Sequence, residues 1–252
     1  MADHAGVLRQ RVSHSTHLND AFAALCATLG ELGCEMVLYD YARTSYAADG
    51  LLATPSVLMG ANIPIDMKHL WQDKGFYQID PVQERALQSC APFAWSYGSE
   101  TGDTALSLAE RHRPVVQFLD RFAMRRGVTA PVRGAAGGFA TVTVVLPHAS
   151  PWQDRHARAF LPQLGFLAAV FQDSVSPLLG ASLAVSDVRP LLTRRQRDCL
   201  RLCAEGLTSK EMARAMACSV ATVDLHLQAA ARRLGARNRL HAVALAMREG
   251  VL

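Results

Sequence analysis

The chain has 252 residues, half of them hydrophobic, with 19% charged side chains and a formal net charge of +4. That length suits one large domain or two small ones, and that apolar content suits a buried core, which excludes a disordered or collagen-like chain. The longest apolar run, Leu161–Phe171, is interrupted by Pro162 and Gln163 and falls well short of the roughly 20 residues a membrane helix needs. Residues Met1–Gly6 show no basic region followed by an apolar stretch, so neither a membrane span nor a signal peptide is expected and the protein is placed in the cytoplasm.

From Gly6 to Leu32 the apolar positions Val7, Leu8, Val12, Leu18, Phe22, Leu25 and Leu29 recur at three- and four-residue steps, which predicts an amphipathic helix or helix pair ended by Gly30 and Gly33. Residues 34–42 are rich in β-formers and read as a strand, and a second short strand is expected at Val57–Ala61. A regular first strand puts Met36, Leu38 and Asp40 on one face. An acid on a core face is unusual; it fits either a pocket or the strand end emerging into solvent. Residues 65–90 read as helix with a break at Asp80-Pro81, where aspartate precedes a proline at the first helical position. Pro92–Trp95 is a short extended piece. A long helix carrying Leu106, Leu108, Val115, Phe118, Leu119 and Phe122 follows, then strands at Gly127–Arg133 and Phe139–Leu146 around a glycine-rich turn. Helix resumes with Ser150 as N-cap and Pro151 at the first position, and continues to about Leu179. Helices before and after antiparallel strands make residues 1–180 an α+β domain with the sheet between helical layers. Residues 181–190, small and closed by Pro190, read as a linker, and residues 191–252 as a second domain.

Six cysteines, Cys26, Cys34, Cys90, Cys199, Cys203 and Cys218, are read as buried thiols, because a cytoplasmic chain of this size neither keeps nor needs disulfides. Cys199 and Cys203 lack further ligands nearby to complete a metal site. No Gly-x-Ser-x-Gly elbow and no phosphate-binding loop occurs, and His69, His112 and His148 have no evident partners, so catalysis is not expected. The charge is unevenly placed: residues 189–252 carry 12 Lys and Arg against 5 Asp and Glu, or +7, while residues 1–188 carry 14 against 17, or −3. Positive charge gathered in one segment is the footprint of nucleic-acid binding, since each neutralised phosphate releases counterions.

That basic quarter reads as four short helices. Thr193 caps the first, which Gly206 stops; Thr208 or Ser209 caps the second; Ser219 caps the third, with Val223, Leu227 and Leu234 inward; the fourth runs from about Arg239 to Arg248. Two helices joined by the turn Ala217-Cys218-Ser219 have the geometry that lays the second in a major groove. The residues Leu192-Thr193-x-Arg195, Ala204-x-Gly206-x-Thr208-Ser209-Lys210-Glu211-Met212-Ala213, Ser219-x-x-Thr222-Val223-x-x-His226 and Leu234-Gly235-Ala236-x-Asn238-Arg239 resemble the helix-turn-helix of the LuxR-type regulators over about 60 residues. Gln196 stands where that family usually has Glu, and Asp224 where Lys is common; the glutamine keeps a hydrogen bond without the charge. By position, Ser209, Lys210, Thr222, His226, Arg232, Arg233 and Arg237 are expected at phosphates, with packing against the turn as the alternative for His226. Asp224, Leu225, Gln228 and Ala221 are expected at bases, Gln228 pairing with adenine and Asp224 accepting from a cytosine amino group. A homodimer on a palindromic element of double-stranded DNA follows from half-site logic.

The first domain shows no doubly wound βα repeat of a receiver. Trp71, Asp80-Pro81-Val82, Trp95 and Gly127-Val128-Thr129-x-Pro131 resemble instead the autoinducer-binding domain of the quorum-sensing LuxR regulators, which implies an α/β/α sandwich around an acyl-homoserine lactone. By that resemblance Asp80 accepts from the ligand amide, beside its role as helix cap. In the lactone receptors a tryptophan thirteen residues before the aspartate donates to the ring carbonyl, and a tyrosine nine before it binds the acyl carbonyl. Those places hold Met67 and Trp71 here, and a thioether has no proton to donate. This pair of changes resembles the LuxR solos of plant-associated bacteria, which implies a plant-derived or other non-lactone signal touching Asp80, Trp71 and Asp40. Leu38, Met67, Trp95, Thr129 and Thr143 complete the expected lining, although Thr129 and Thr143 are equally consistent with sheet residues that touch no ligand. No cofactor is expected beyond this small-molecule effector. A conventional lactone receptor and a ligand-independent regulator that dimerises through its first domain are the competing readings.

Overall fold

The computed structural model describes residues 3–47, 50–97, 104–134, 138–146, 154–184, 192–248 and 252. They form two compact units that divide between Gly180 and Ala181.

In the first unit the opening periodicity resolves into a pair of helices, α1 (His4–Ser13) and α2 (Leu18–Gly30). The Asp3 carboxylate caps α1 by accepting from the Gly6 N–H. Five strands follow in the chain: β1 (Met36–Ala42), β2 (Val57–Ala61), β3 (Phe93–Ser96), β4 (Arg126–Arg133) and β5 (Phe139–Val145). They lie side by side in the order β2-β1-β5-β4-β3, every pairing antiparallel. Between β2 and β3 the chain makes α3 (Met67–Asp73), a 3-10 turn at Tyr77–Ile79 and α4 (Pro81–Gln88); α5 (Arg113–Arg121) precedes β4, and α6 (Asp154–Ala184) follows β5.

The register decides what each face meets. Leu58 lies opposite Asp40, Asp40 opposite Thr141, Leu38 opposite Thr143, Thr143 opposite Thr129, and Trp95 opposite Gly127. Because directly paired residues share a face and side chains alternate along a strand, one face carries Leu38, Asp40, Leu58, Thr129, Thr141, Thr143, Val145, Phe93 and Trp95. The other carries Tyr39, Val142, Val144, Val128 and Ala130. Helix α6 covers this second face: Tyr39 meets Phe171 edge to face at 5.0 Å and donates to the Gln172 Oε1 at 2.9 Å. The first face packs with Trp71, Val82, Ala86, Val115 and Leu119 from α3, α4 and α5. The unit is thus the α/β/α sandwich of an α+β fold.

Three expectations need correction. The long helix expected from Leu106 begins only at Arg113, because Pro114 with its fixed φ and missing N–H suits the start of a helix and not its middle. Leu106 instead donates its N–H to the Ser96 carbonyl at 3.1 Å, continuing the sheet edge, and Leu108 and Phe122 are exposed. Helix α6 runs to Ala184, four residues into the segment read as linker, since Ala181, Leu183 and Ala184 favour helix. Finally, Cys90 is exposed, whereas Cys34 and Cys199 are buried. The expected cap at Ser150-Pro151 lies outside the described residues. Among the described residues no helix is long and apolar enough to cross a membrane.

The second unit is all helical: α7 (Arg194–Ala204), α8 (Ser209–Ala215), α9 (Val220–Arg233) and α10 (Arg239–Arg248). Cys199, Leu200, Met212, Val223, Leu227, Ala242 and Ala246 form its core.

At Gly127 the sheet and the Trp95 ring leave no room for a side chain. A Cβ there would stand 2.5 Å from both the Trp95 ring and the Val144 carbonyl oxygen. Gly127→Ala is expected to lower stability by about 1–3 kcal/mol, read as a lower urea midpoint with an unchanged slope; an unshifted midpoint contradicts this packing.

Candidate functional site

Between the first sheet face and α3, α4 and α5 lies a cavity of about 30 Å³, room for about two waters. Seven of the eight residues expected to bind ligand line it: Leu38, Asp40, Met67, Trp71, Asp80, Trp95 and Thr143. Asp40 is therefore no strand end reaching solvent; it is 2% exposed. Thr129 is the exception. It is fully buried behind the wall, where its hydroxyl accepts from the Trp95 indole N–H at 3.0 Å and shares a hydrogen bond with Thr143 at 2.9 Å. Its place is to hold the Trp95 ring, which the strand pairing imposes by setting Thr129 beside Thr143 and diagonal to Trp95.

Asp80 is built into the site by the start of α4. Its Oδ1 accepts from the Val82 N–H at 2.9 Å, capping the helix behind Pro81, while its Oδ2 accepts from the Trp71 indole N–H at 2.8 Å. Asp80 is at once the cap of α4 and part of the cavity wall. The Trp71 ring is kept in place by Phe76 and Phe118, with centroids at 5.4 and 5.6 Å.

Asp40 sits in a second cluster that the sequence did not disclose. Its Oδ1 accepts from the Tyr77 hydroxyl at 2.6 Å, and its Oδ2 accepts from the Gln83 Nε2 at 3.1 Å and from the Thr141 hydroxyl. Leu58, Tyr77, Val82, Gln83, Tyr97, Leu119, Met124 and Val145 also line the cavity. Some were within reach of spacing alone: Tyr77 and Gln83 flank Asp80 at three residues on either side, and Tyr97 lies two residues past Trp95 on the same strand line.

Both carboxyls are pushed up to about 6, chiefly by burial. For Asp40 the hydrogen bonds from Thr141, Tyr77 and Gln83 oppose the rise and the nearby Asp80 adds to it; for Asp80 the Trp71 indole and the backbone N–H groups oppose it, with His112 attracting from further off. Burial beside these acids also raises the Tyr77 and Tyr97 hydroxyls well above their usual range.

In the second unit Thr208, not Ser209, caps α8 and forms a capping box with Glu211. Ser209 is released to donate to the Asp224 Oδ1 at 3.0 Å, which ties the supporting helix to α9. Gln196 completes a capping box with Thr193 and accepts from Arg233 at 3.1 Å, so the amide does keep the bond without the charge. Arg233 is thereby drawn toward α7. Val223, Leu227 and Ala230 of α9 face inward, which leaves Ala221, Leu225, Gln228 and Arg232 exposed, together with Lys210 and Arg237; Leu225 is 63% exposed. Thr222 shares a hydrogen bond with the Ser219 cap at 2.8 Å, and His226 is half-buried. A large apolar side chain held outward between polar ones suits a groove wall with thymine methyls.

A sheet-backed cavity with a polar interior, in a chain that also carries a basic helix-turn-helix, defines a ligand-binding transcription regulator. The family model described as the autoinducer binding domain matches residues 17–175, and that of the bacterial regulatory proteins of the luxR family matches residues 190–246; the chain belongs to the LuxR family, with an autoinducer-binding domain before its DNA-binding domain. It is a regulator and not an enzyme. It is similar to the transcriptional activator protein BjaR1 of Bradyrhizobium diazoefficiens, 29% identical over 92% of this chain and 89% of that one. It is also similar to the activator AhyR of Aeromonas hydrophila, 25% identical over 85% of this chain and 80% of that one. The fold matches Escherichia coli SdiA with a TM-score of 0.75 at 18% identity, over 98% of this chain and 97% of that one.

The raised acids set a pH dependence. A folded chain whose carboxyl titrates near 6 holds a proton that the unfolded chain gives up near 3.8, so stability falls as pH rises through this window, by up to roughly 3 kcal/mol per group. The urea midpoint of the wild type relative to Asp40→Asn is expected to fall between pH 4.5 and 7. A difference that is flat or rises with pH contradicts the charged, buried state of Asp40.

Proposed function

We propose that this regulator is a LuxR solo answering to a small polar molecule, of plant origin or otherwise not an acyl-homoserine lactone. In this reading it works in the cytoplasm as a homodimer on a palindromic DNA element. The observation that carries the ligand reading is the state of the two positions where lactone receptors hold donors. Met67 is buried on the cavity wall with no proton to give, and the one N–H of Trp71 is already committed to Asp80. A lactone placed here would bury its ring carbonyl without a partner, at about 1–3 kcal/mol. The outward face of α9, one reading helix per chain, supports the dimer, since paired half-sites mirror a two-fold protein.

Two experiments bear on this reading. In a reporter strain the double substitution Met67→Trp with Trp71→Tyr restores both donors. It is expected to lower the concentration of some acyl-homoserine lactone needed for response by ~10-fold or more. No gain with any lactone counts against the pocket reading, and a strong response of the unaltered protein overturns it. In a selection from randomised operators, Asp224→Ala is expected to relax the preference at one base pair per half-site, by about 1–3 kcal/mol; an unchanged preference removes Asp224 from base reading.

A further inference from the structure

We propose that the ligand of the first unit is a small protonated amine, its ammonium group seated at the end of the cavity between Asp40, Asp80 and the side-chain carbonyl of Gln83. This deepens the non-lactone reading and rests on it.

On the cavity's polar wall the main donors are already engaged: the Trp71 indole with Asp80, the Tyr77 hydroxyl and the Gln83 amide with Asp40, and the Trp95 indole with Thr129. Asp40 and Asp80 both line it, and among the described lining residues none is Lys, Arg or His. Their bonds come from neutral donors: a phenol, an amide and a hydroxyl for Asp40, an indole and backbone N–H for Asp80. Neutral donors spread a charge without cancelling it, so two carboxylates in one buried space lack a counter-charge among the described lining residues. His112, whose attraction reaches Asp80, spends its ring nitrogens on Glu84 and the Ala109 N–H.

Gln83 adds the independent observation. It is 6% exposed, and its Nε2 serves both Asp40 and Thr141. That fixes the amide, because turned over it would set its oxygen against a carboxylate. Its Oε1 is then left buried with no hydrogen-bond partner among the described residues. A buried carbonyl without a donor calls for one. An ammonium supplies three N–H donors and a positive charge, which matches two carboxylates and one carbonyl group for group. Trp71, Tyr77, Trp95 and Tyr97 line the same space, and aromatic faces are favourable neighbours for a cation. A lactone offers one amide N–H and several carbonyl or ring oxygens, which such a wall repels.

The test compares each amine with its neutral counterpart of equal size: n-butylamine with 1-butanol, and 2-phenylethylamine with 2-phenylethanol, each at about 10 mM and pH 7.5, by the thermal midpoint of the full chain. The amines are expected to raise the midpoint by at least ~2 °C more than the alcohols. Asp40→Asn should abolish that difference, and Gln83→Met, of similar volume, should at least halve it; the second variant serves if the first does not fold. Alcohols that match or exceed the amines overturn the inference while leaving a neutral non-lactone ligand in place. Stabilisation by neither class overturns it as well, and an amine preference that survives both substitutions removes it from this site. The lactone response of the double variant judges the underlying reading separately, because that experiment uses no amine.

Discussion

The hydrogen bond between the Trp71 indole and Asp80 is the contact on which the first unit turns. Asp80 must leave the 3-10 turn in an extended conformation to cap α4, and only then does its second oxygen face α3. One carboxylate thereby fixes where α4 starts, how α3 packs and which polar atom looks into the cavity. Charge-assisted bonds of this kind are stronger than neutral ones and expensive to leave half-made. The aromatic cluster of Trp71, Phe76 and Phe118 then closes over the bond and keeps water from competing for it. Asp80 is a helix cap by local chemistry and a pocket residue by the same geometry.

Legibility in the sequence followed the range of each interaction. Strand faces, caps and the helix-turn-helix are local patterns, so β1, the Asp80-Pro81 start and the capping residues Thr193 and Ser219 were all readable. Asp40 stood out because an acid at a core position breaks the alternation. Its companions did not: Thr141 reaches it from a strand about a hundred residues away, and Gln83 and Tyr77 look like ordinary polar or aromatic residues of short helices. The failed helix at Leu106–Phe122 has the opposite cause. Its apolar spacing fits a helical stripe, yet Pro114 and the free edge of β3 offered the preceding residues better hydrogen bonds as an extended segment. Which of the two readings of Thr129 holds was not legible, since alternation gives the face of a strand residue but not whether a neighbour's ring lies over it.

The DNA-binding unit handles charge differently from the first. Its departures from the family pattern are absorbed by pairing: Gln196 meets Arg233, and Asp224 meets Ser209. Each pair links α9 to a neighbouring helix, so a residue that looks anomalous for phosphate contact acts first as a tie that orients the reading helix. With one oxygen of Asp224 held by a hydroxyl donor, the other keeps its acceptor capacity. Lys210, Arg232 and Arg237 stay exposed to supply the positive field.

Buried charge in the first unit connects its stability to its function. A buried carboxylate pair costs the fold something at neutral pH, and the fold tolerates it because the hydrogen bonds around Asp40 and Asp80 recover part of that cost. A ligand that completes the set recovers the rest and therefore binds the folded unit far better than the unfolded chain. At a hundredfold excess over its dissociation constant it adds about 2.7 kcal/mol. A free volume of only about 30 Å³ means that any larger molecule must also move side chains as it enters, and the packed walls resist continuous deformation. A site that is short of free donors and tight at rest is thus suited to switching: the occupied unit differs from the empty one in stability and in packing, the two quantities through which a ligand can bias a DNA-binding unit.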